Sequence, residues 1–268
     1  FYMQADAMWK AKYGYPLMPV IFGDDKEQLE KELKNTKNTH PAMFISNIAI
    51  YKMLNECGVK ADYMIGHSLG EITALYAAGM LDLKSAIELV GARGFSFDGI
   101  PESERGLMVS VKADKIKVAE MIQNSESKVS IANINSPEQT VVGGTEDEVK
   151  RFVEYLSGNN IAHTILKVSH AFHTDLTERA ADSFYNKISN LEFDASRTKV
   201  MACHLVDFYP DTREHLKDMP NILKSQILSS VNFVDSVKKL YDLGVRLFIE
   251  TGPSTVLTNL VRSILKDS

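Results

Sequence analysis

The stretch from Tyr63 to Gly79 constrains the fold most, because it combines a strand, a G-x-S-x-G turn and a helix in immediate succession. Tyr63–Ile65 form a short apolar run with strand character, and the residues from Ile72 to Gly79 have helical character. Glycines on both sides permit a sharp turn that exposes the central serine, Ser68, at the end of a sheet strand. The following helix N-terminus supplies free amides and a dipole that favour a developing oxyanion. The segment therefore predicts a nucleophilic serine on an α/β scaffold.

Composition and charge exclude several classes of protein. The chain has 268 residues, of which 44% are hydrophobic and 24% are charged, as is typical of a globular protein with a sizeable core. A net charge of −5 gives no electrostatic reason to expect binding to nucleic acid or to an anionic membrane. No apolar run approaches the roughly 20 residues that a membrane span needs, and no signal peptide opens the sequence.

The cysteines and the first residues give two further expectations. Cys57 and Cys203 are the only cysteines, and no group of ligand residues has metal-binding spacing. We therefore expect a metal-free protein of a reducing compartment, the cytoplasm. The sequence begins at Phe1, without an initiator methionine and directly in a helical pattern, so we expect either a piece of a longer polypeptide or a chain whose first residues are missing from this sequence.

Most of the chain alternates helices with strands, which predicts a mostly parallel sheet covered by helices. In one helix, Thr39–His40–Pro41 is expected to form the start and Gly58 the end. The other predicted helices are 2–13, 25–35, 83–98, 175–189, 214–228, 233–243 and 254–265, and the strands are 63–65, 199–203 and 245–249. Ligands of such sheets bind beyond the carboxyl ends of the strands, where Ser68 is expected.

The sequence between these parts has a different order of elements. Residues 107–168 alternate in the order β-α-β-β-α-β, which is the ferredoxin-like order. We therefore predict an α/β fold class with two parts. A large α/β-hydrolase-like subdomain with a mostly parallel sheet comprises residues 1–104 and 169–268. A ferredoxin-like α+β subdomain is inserted at residues 105–168.

A serine hydroxyl needs a neighbouring base, and histidine is the usual one. Of seven histidines, His67 lies on the turn beside the serine, so its side chain should point elsewhere. The segment Ser169–Thr174 contains two more, His170 and His173, in a loop between a strand and a helix, where catalytic groups are common. A histidine that caps the next helix is the alternative interpretation of this segment.

Five motifs occur in order and carry a family resemblance: Gly66–Glu71, Arg93–Gly94, Asn133–Pro137, His170–His173 and Glu250–Pro253. Together they resemble the acyltransferase domain of polyketide and fatty-acid synthases, the malonyl-CoA:acyl-carrier-protein transacylase family. The resemblance covers nearly the whole chain. Three features depart from the family pattern: its N-terminal Pro-Gly-Gln-Gly-Ser-Gln loop is not found, His40 stands in place of its usual glutamine, and Thr174–Thr177 replaces its usual Ser-Pro-Leu-Met.

The resemblance implies a role for each matching residue. Ser68 would carry the acyl group, and His173 would act as general base and acid. His170 would form a wall of the pocket. The amide of Leu69 would donate to the oxyanion, and the backbone carbonyl of Gln226 would orient the catalytic histidine.

The resemblance also implies how the substrate is selected. Arg93 would bind the free carboxylate of a malonyl group with two parallel hydrogen bonds. Phe172 would leave little room for the additional methyl of methylmalonyl. His40, which stands where the family usually has glutamine, would line the pocket, and Asn133 would contact the substrate.

The implied reaction moves a malonyl unit from malonyl-CoA, through an ester on Ser68, to the phosphopantetheine thiol of an acyl carrier protein. No metal or bound cofactor is implied, and the expected partners are the carrier protein and neighbouring synthase domains. Two alternatives remain open. A serine esterase or thioesterase would need an acidic residue between serine and histidine, such as Asp82 or Asp98. A domain that only docks carrier protein would need no nucleophile.

Overall fold

A computed structural model describes residues 1–266, which form an α/β fold with two sheets. The strands described are β1 (Tyr63–Ile65), β2 (Leu107–Val111), β3 (Ser130–Ser136), β4 (Gln139–Gly144), β5 (His163–Ile165), β6 (Lys199–Ala202), β7 (Asp207–Phe208) and β8 (Val231–Asn232). Short 3₁₀ helices lie at Glu102–Glu104 and Asp175–Thr177.

The described chain begins and ends with an α-helix, and most of the other α-helices lie between strands in the sequence. They are α1 (Tyr2–Tyr13), α2 (Met18–Phe22), α3 (Lys26–Glu32), α4 (Thr36–Glu56), α5 (Gly70–Ala77), α6 (Leu83–Asp98), α7 (Lys115–Ser125), α8 (Glu146–Gly158), α9 (Glu178–Ile188), α10 (Arg213–Leu216), α11 (Met219–Leu228), α12 (Phe233–Asp242) and α13 (Val256–Ile264). None of these helices has the length and apolar character that crossing a membrane would require.

The first sheet has the order β1-β6-β7 and holds the turn that carries Ser68. β1 runs parallel to β6, with Tyr63 opposite Lys199 and Ile65 opposite Met201, whereas the short β7 is antiparallel to β6. Helices α4, α5, α6 and α9 bury one continuous core against this sheet. This mixed α/β arrangement confirms the predicted fold class.

The second sheet has the order β5-β2-β4-β3-β8. Each neighbouring pair among its first four strands is antiparallel, and the four have the ferredoxin-like order. Helices α7 and α8 cover their apolar face. The fifth strand, β8, comes from a later part of the chain and pairs parallel with β3 through Asn133 and Val231. Four strands therefore lie within the predicted 105–168 subdomain, and β8 connects them to the segment after α11.

Three differences from the predicted elements have a physical reason: one helix begins earlier, one helix divides and one strand does not form. Helix α4 begins at Thr36, so Pro41 lies inside it rather than in its first turn. The earlier start is fixed by packing, because the Thr36 hydroxyl donates to the carbonyl of Gly94 at 2.9 Å. The predicted helix 214–228 divides into α10 and α11, and Pro220 stands at the start of α11, where proline is tolerated.

The third error concerns residues 245–249, which form no strand. Their apolar residues suggested one, but a strand requires a neighbour that shares backbone hydrogen bonds. No described strand pairs with this segment, and 76% of Leu247 is exposed. Local sequence indicated the backbone preference without indicating whether a partner was available.

Candidate active site

The turn between β1 and α5 holds Ser68 in a conformation that few residues adopt. Its φ is 51°, in the left-handed region. Gly66 makes this turn possible, because a Cβ there would lie 2.0 Å from the carbonyl carbon of Gly70. Gly70 has open space around the position of a Cβ, so only the first glycine of the motif is required by close packing.

The serine faces a histidine from the second predicted motif. Ser68 Oγ lies 2.7 Å from His173 Nε2, although the two residues are 105 positions apart in the sequence. On the far side of the ring, Nδ1 lies 3.0 Å from the carbonyl oxygens of both Gln226 and Ser229. Because carbonyl oxygens only accept hydrogen bonds, Nδ1 carries the proton and Nε2 presents its lone pair to the serine.

The two carbonyls are available because of where α11 ends. The last carbonyls of an α-helix have no partner within the helix, and Gln226 is in the last turn of α11, just before Ser229. Nδ1 of His173 therefore donates to carbonyl oxygens that have no donor within the helix. The sequence predicted Gln226 and missed Ser229, which has no motif around it.

His173 is 3% exposed and its environment keeps it neutral. Burial lowers its pKa to about 3, with a further lowering from the nearby charge of Arg93, and the two carbonyl contacts oppose these effects. A neutral imidazole next to a hydroxyl has the protonation state that a general base needs.

Arg93 lies on the other side of the serine and is 2% exposed. Its Nη2 donates to Ser68 Oγ at 3.0 Å, and its Nη1 lies 3.3 Å from His40 Nε2. Its Nε is buried and has no hydrogen-bond partner among the described residues. Burial lowers the pKa of Arg93 to about 10, and the negative charge of Glu71 opposes this shift.

Close packing of α4 against α6 brings His40 to the arginine. A Cβ at Gly94 would lie 2.8 Å from the carbonyl oxygen of Thr36, so the helices cross at this glycine. His40 is 6% exposed, and burial together with the charge of Arg93 lowers its pKa well below the usual range. A neutral His40 can accept from the guanidinium, whereas a charged one would repel it.

Aromatic rings form the next wall of the site. The ring of Phe172 lies 4.9 Å from that of Phe97 and 5.6 Å from that of His170, and the guanidinium of Arg93 lies 5.5 Å from the Phe97 ring. His170 Nδ1 is 2.8 Å from the hydroxyl of Ser169, and burial lowers the pKa of His170 to about 4. His170 is therefore a neutral member of the wall.

The remaining predicted residues differ in how they relate to the serine. Leu69 is the N-cap residue of α5, and the amides of Gly70 and Glu71 donate to carbonyls of the turn at 2.9 and 3.1 Å. No hydrogen bond joins the Leu69 amide to any other described residue. Asn133 is buried on β3 and makes no hydrogen bond with Ser68, His173 or Arg93 among the described contacts.

Three residues near the turn were missed by sequence reasoning. Asn135 Oδ1 lies 2.8 Å from His67 Nε2, which turns that imidazole away from the serine as predicted. Glu71 and Tyr209 are buried and form a hydrogen bond below the turn. Glu71 stands within the Gly66–Glu71 motif, but the sequence did not indicate that it is buried.

In the described part of the chain, no group of three or more acidic, histidine or cysteine residues is arranged to hold a metal ion.

A serine hydroxyl within hydrogen-bond distance of a neutral imidazole is the arrangement that a serine nucleophile with a neighbouring base requires. A family model of the acyl transferase domain matches residues 2–268, so the chain belongs to this family of acyltransferases, and the predicted resemblance is confirmed.

Relatives of two kinds share the sequence. It is 32% identical over 253 residues to the malonyl CoA-acyl carrier protein transacylase of Bacillus subtilis, with 92% of this chain and 77% of the relative covered. It is 31% identical over 255 residues to polyketide synthase GfsA of Streptomyces halstedii, with 95% of this chain covered. The chain spans only 3% of that synthase, so it corresponds to a small part of a much longer protein.

Solved structures of transacylases have the same fold. The transacylase of Streptococcus pneumoniae superposes with a TM-score of 0.86 at 30% identity, covering 100% of this chain and 86% of that one. A malonyl-transacylase in complex with a type II polyketide-synthase acyl-carrier protein superposes with a TM-score of 0.88 at 29% identity, covering 99% and 85% of the two chains.

Proposed function

We propose that this protein transfers a malonyl unit from malonyl-CoA, through an ester on Ser68, to the phosphopantetheine thiol of an acyl carrier protein. The observation that carries the proposal is the position of Ser68 Oγ, 2.7 Å from His173 Nε2 and 3.0 Å from Arg93 Nη2. The Ser68 hydroxyl is thus within hydrogen-bond distance of both a base and a cation that can bind a carboxylate. The transacylase relatives support the choice of malonyl-CoA and carrier protein.

In the first step, His173 Nε2 accepts the proton of Ser68 as its oxygen attacks the thioester carbonyl. The Leu69 amide donates to the oxyanion that forms, at the positive end of the α5 dipole. The carbonyl oxygens of Gln226 and Ser229 stabilise the imidazolium through Nδ1. The imidazolium then protonates the departing thiolate of CoA, which leaves a malonyl ester on the serine.

In the second step the carrier protein's thiol takes the place of CoA. His173 accepts the thiol proton, the sulfur attacks the ester carbonyl, and the serine oxygen recovers the proton as it leaves. The phosphopantetheine arm is thus the acceptor substrate, and no cofactor bound to this chain is needed in either step.

Arg93 gives the site its preference for a dicarboxylic acyl group. The carboxylate of a malonyl group is separated from the reacting carbonyl by one methylene, and the guanidinium lies within hydrogen-bond distance of the reacting oxygen. Nη2 and the unpartnered Nε lie on one edge of the guanidinium, which suits a bidentate carboxylate. An acetyl group offers nothing to this buried charge.

The other predicted residues shape the pocket around this pair. We propose that His40 holds the guanidinium, while Phe172 and His170 form the wall beside the acyl group. We assign Asn133 no contact with the reacting groups, because it makes no hydrogen bond with Ser68, His173 or Arg93 among the described contacts. We further propose that the protein works in the cytoplasm beside other synthase domains, in polyketide or fatty-acid synthesis.

Mixing the protein with malonyl-CoA tests the proposal. Intact-mass and peptide mass spectrometry should find a lasting malonyl adduct on Ser68, and addition of a holo carrier protein should move the adduct to its thiol. The Ser68→Ala variant should form none. Rapid release of free malonate would identify a hydrolase instead, and the absence of any adduct would favour a domain that only docks carrier protein.

A further inference from the structure

A buried carboxylate lies directly beneath the Ser68 turn and takes no part in the mechanism above. Glu71, in the first turn of α5, is 0% exposed. The hydroxyl of Tyr209 donates to its Oε2 at 2.6 Å, and Nε2 of Gln226 lies 3.3 Å from its Oε1. Both partners are donors, so the ionised carboxylate is the form that satisfies all three groups.

The same carboxylate belongs to a closed set of hydrogen bonds that includes the serine. The Ser68 carbonyl accepts from the backbone amide of Glu71 at 3.1 Å and from Nε2 of Gln226 at 2.9 Å. Gln226 therefore has two contacts of different kinds. Its side chain holds the Ser68 turn, and its backbone carbonyl accepts from Nδ1 of His173 at 3.0 Å.

Both members of the reacting pair need such support. Ser68 and His173 have φ angles of 51° and 60°, and non-glycine residues keep such conformations only where the surroundings hold them. Tyr209 anchors the carboxylate to the first sheet, because its own amide donates to the carbonyl of Val200 on β6 at 2.9 Å. The sheet, the turn and the end of α11 thus meet at Glu71.

We propose that Glu71 is a positioning residue that acts through the side chain of Gln226 to set the distance and direction between Ser68 and His173. The proposal rests on these two residues being the reacting pair of the proposed function. It assigns no contact between Glu71 and the substrate. Burial raises the pKa of Glu71 to about 7, and the bonds to Tyr209 and Gln226 and the charge of Arg93 oppose this shift.

Two reactions of Ser68 separate positioning from substrate binding. The first is acylation by malonyl-CoA. The second is sulfonylation by phenylmethanesulfonyl fluoride, in which the serine oxygen bonds to sulfur, fluoride leaves and His173 takes the proton. The sulfonyl fluoride is uncharged, so its reaction depends on the serine and its base without needing a carboxylate to bind Arg93.

Glu71→Leu should slow both reactions by the same factor, about 100-fold, because displacements near 1 Å cost that much. The KM for malonyl-CoA should stay within about twofold of wild type, since no substrate contact is lost. Glu71→Gln keeps an acceptor for Gln226 and should restore most of the rate. Because Glu71 acts through Gln226, the double variant Glu71→Leu, Gln226→Leu should be no slower than Gln226→Leu alone.

Thr140→Val is the matched control. It removes another buried hydrogen bond, from the Thr140 hydroxyl to the carbonyl of Ala113 at 3.0 Å, in the second sheet. Both rates should be unchanged in this variant. Circular dichroism melts would verify folding, and if Glu71→Leu does not fold, Tyr209→Phe removes one donor to the same carboxylate and should slow sulfonylation several-fold.

Three outcomes would overturn the positioning role. The first is a wild-type rate in Glu71→Leu, or in Tyr209→Phe if Glu71→Leu does not fold. The second is a loss of rate in the double variant that equals the product of the two single losses, and the third is slower malonylation with unchanged sulfonylation. The last would identify Glu71 as a counter-charge for Arg93. Failure of the proposed function looks different, because wild-type protein would then react with the sulfonyl fluoride but not with malonyl-CoA, and the sulfonylation rates would still test Glu71.

Discussion

Replacing Arg93 with alanine gives the strongest test of acyl-group selection. The guanidinium is 2% exposed, so a malonyl carboxylate placed beside it is removed from water as well. Removing one partner of a buried ion pair costs about 3–5 kcal/mol, because the other charge is left uncompensated. Since about 1.4 kcal/mol corresponds to a factor of ten, kcat/KM for malonyl-CoA should fall by about 10² to 10⁴.

Acetyl-CoA should behave in the opposite way. Its acyl group leaves the buried guanidinium unpaired in the wild-type protein, and Arg93→Ala removes that penalty. The rate with acetyl-CoA should therefore stay equal or rise, and the malonyl-to-acetyl preference should fall at least about 100-fold. Arg93→Met is a useful second variant, because it fills more of the space without a charge.

Single-turnover acylation of Ser68, followed by rapid quench and mass spectrometry with each acyl-CoA, measures both rates directly. Sulfonylation of the same serine measures the intrinsic reactivity of the Ser68–His173 pair and should change only a few-fold. The reasoning is refuted if malonylation falls less than tenfold, or if both acyl-CoAs lose rate together. The second result would mean that Arg93 supports the serine through its 3.0 Å contact rather than the substrate.

Three further variants test other parts of the site. The pKa of His173 is lowered to about 3 in the folded protein from an ordinary value of 6.5. Between these values the unfolded chain binds more protons than the folded one, so the free energy of unfolding decreases as the pH is lowered through this range. When the pH is lowered from 7.5 to 4.5 in urea titrations, His173→Gln should therefore lose about 3 kcal/mol less stability than wild type, and equal losses would contradict a buried neutral imidazole. Phe172→Ser should raise the methylmalonyl-to-malonyl ratio of kcat/KM by about 10- to 200-fold, and an unchanged ratio would place Phe172 outside the pocket. Gly66→Ala should abolish sulfonylation because its Cβ would lie 2.0 Å from Gly70, whereas Gly70→Ala, with open space, should retain it; equal behaviour of the two variants would count against the steric argument.

Local sequence patterns predicted the parts of the fold that depend on neighbours in the chain. β1, α1 and α6 begin and end at the predicted residues. Each has its signal nearby, such as the Asp82 side chain that accepts from the amide of Ser85 at the start of α6. The unpaired segment 245–249 shows the limit, because strand pairing depends on a partner that no local pattern describes.

The residues of the site also differ in whether a local sequence motif indicates them. Motifs indicated Ser68, His173 and Arg93, and the structure brings these three side chains together. Glu71 was noticed only as the last residue of a motif, and Tyr209 was not noticed at all. Their hydrogen bond joins positions 138 residues apart, and neither residue type nor spacing indicates such a contact.

The charges in the site explain why the proposed pair of Ser68 and His173 needs no catalytic carboxylate, and why the proposed substrate is acidic. A carboxylate bonded to His173 would raise the pKa of the base and would also neutralise Arg93. Backbone carbonyls orient the same imidazole without adding a full charge. Glu71 is bonded to Tyr209 and Gln226 and makes no hydrogen bond with Arg93 among the described contacts. The guanidinium therefore stays charged and incompletely paired, and we expect a dicarboxylic acyl group to complete its pairing.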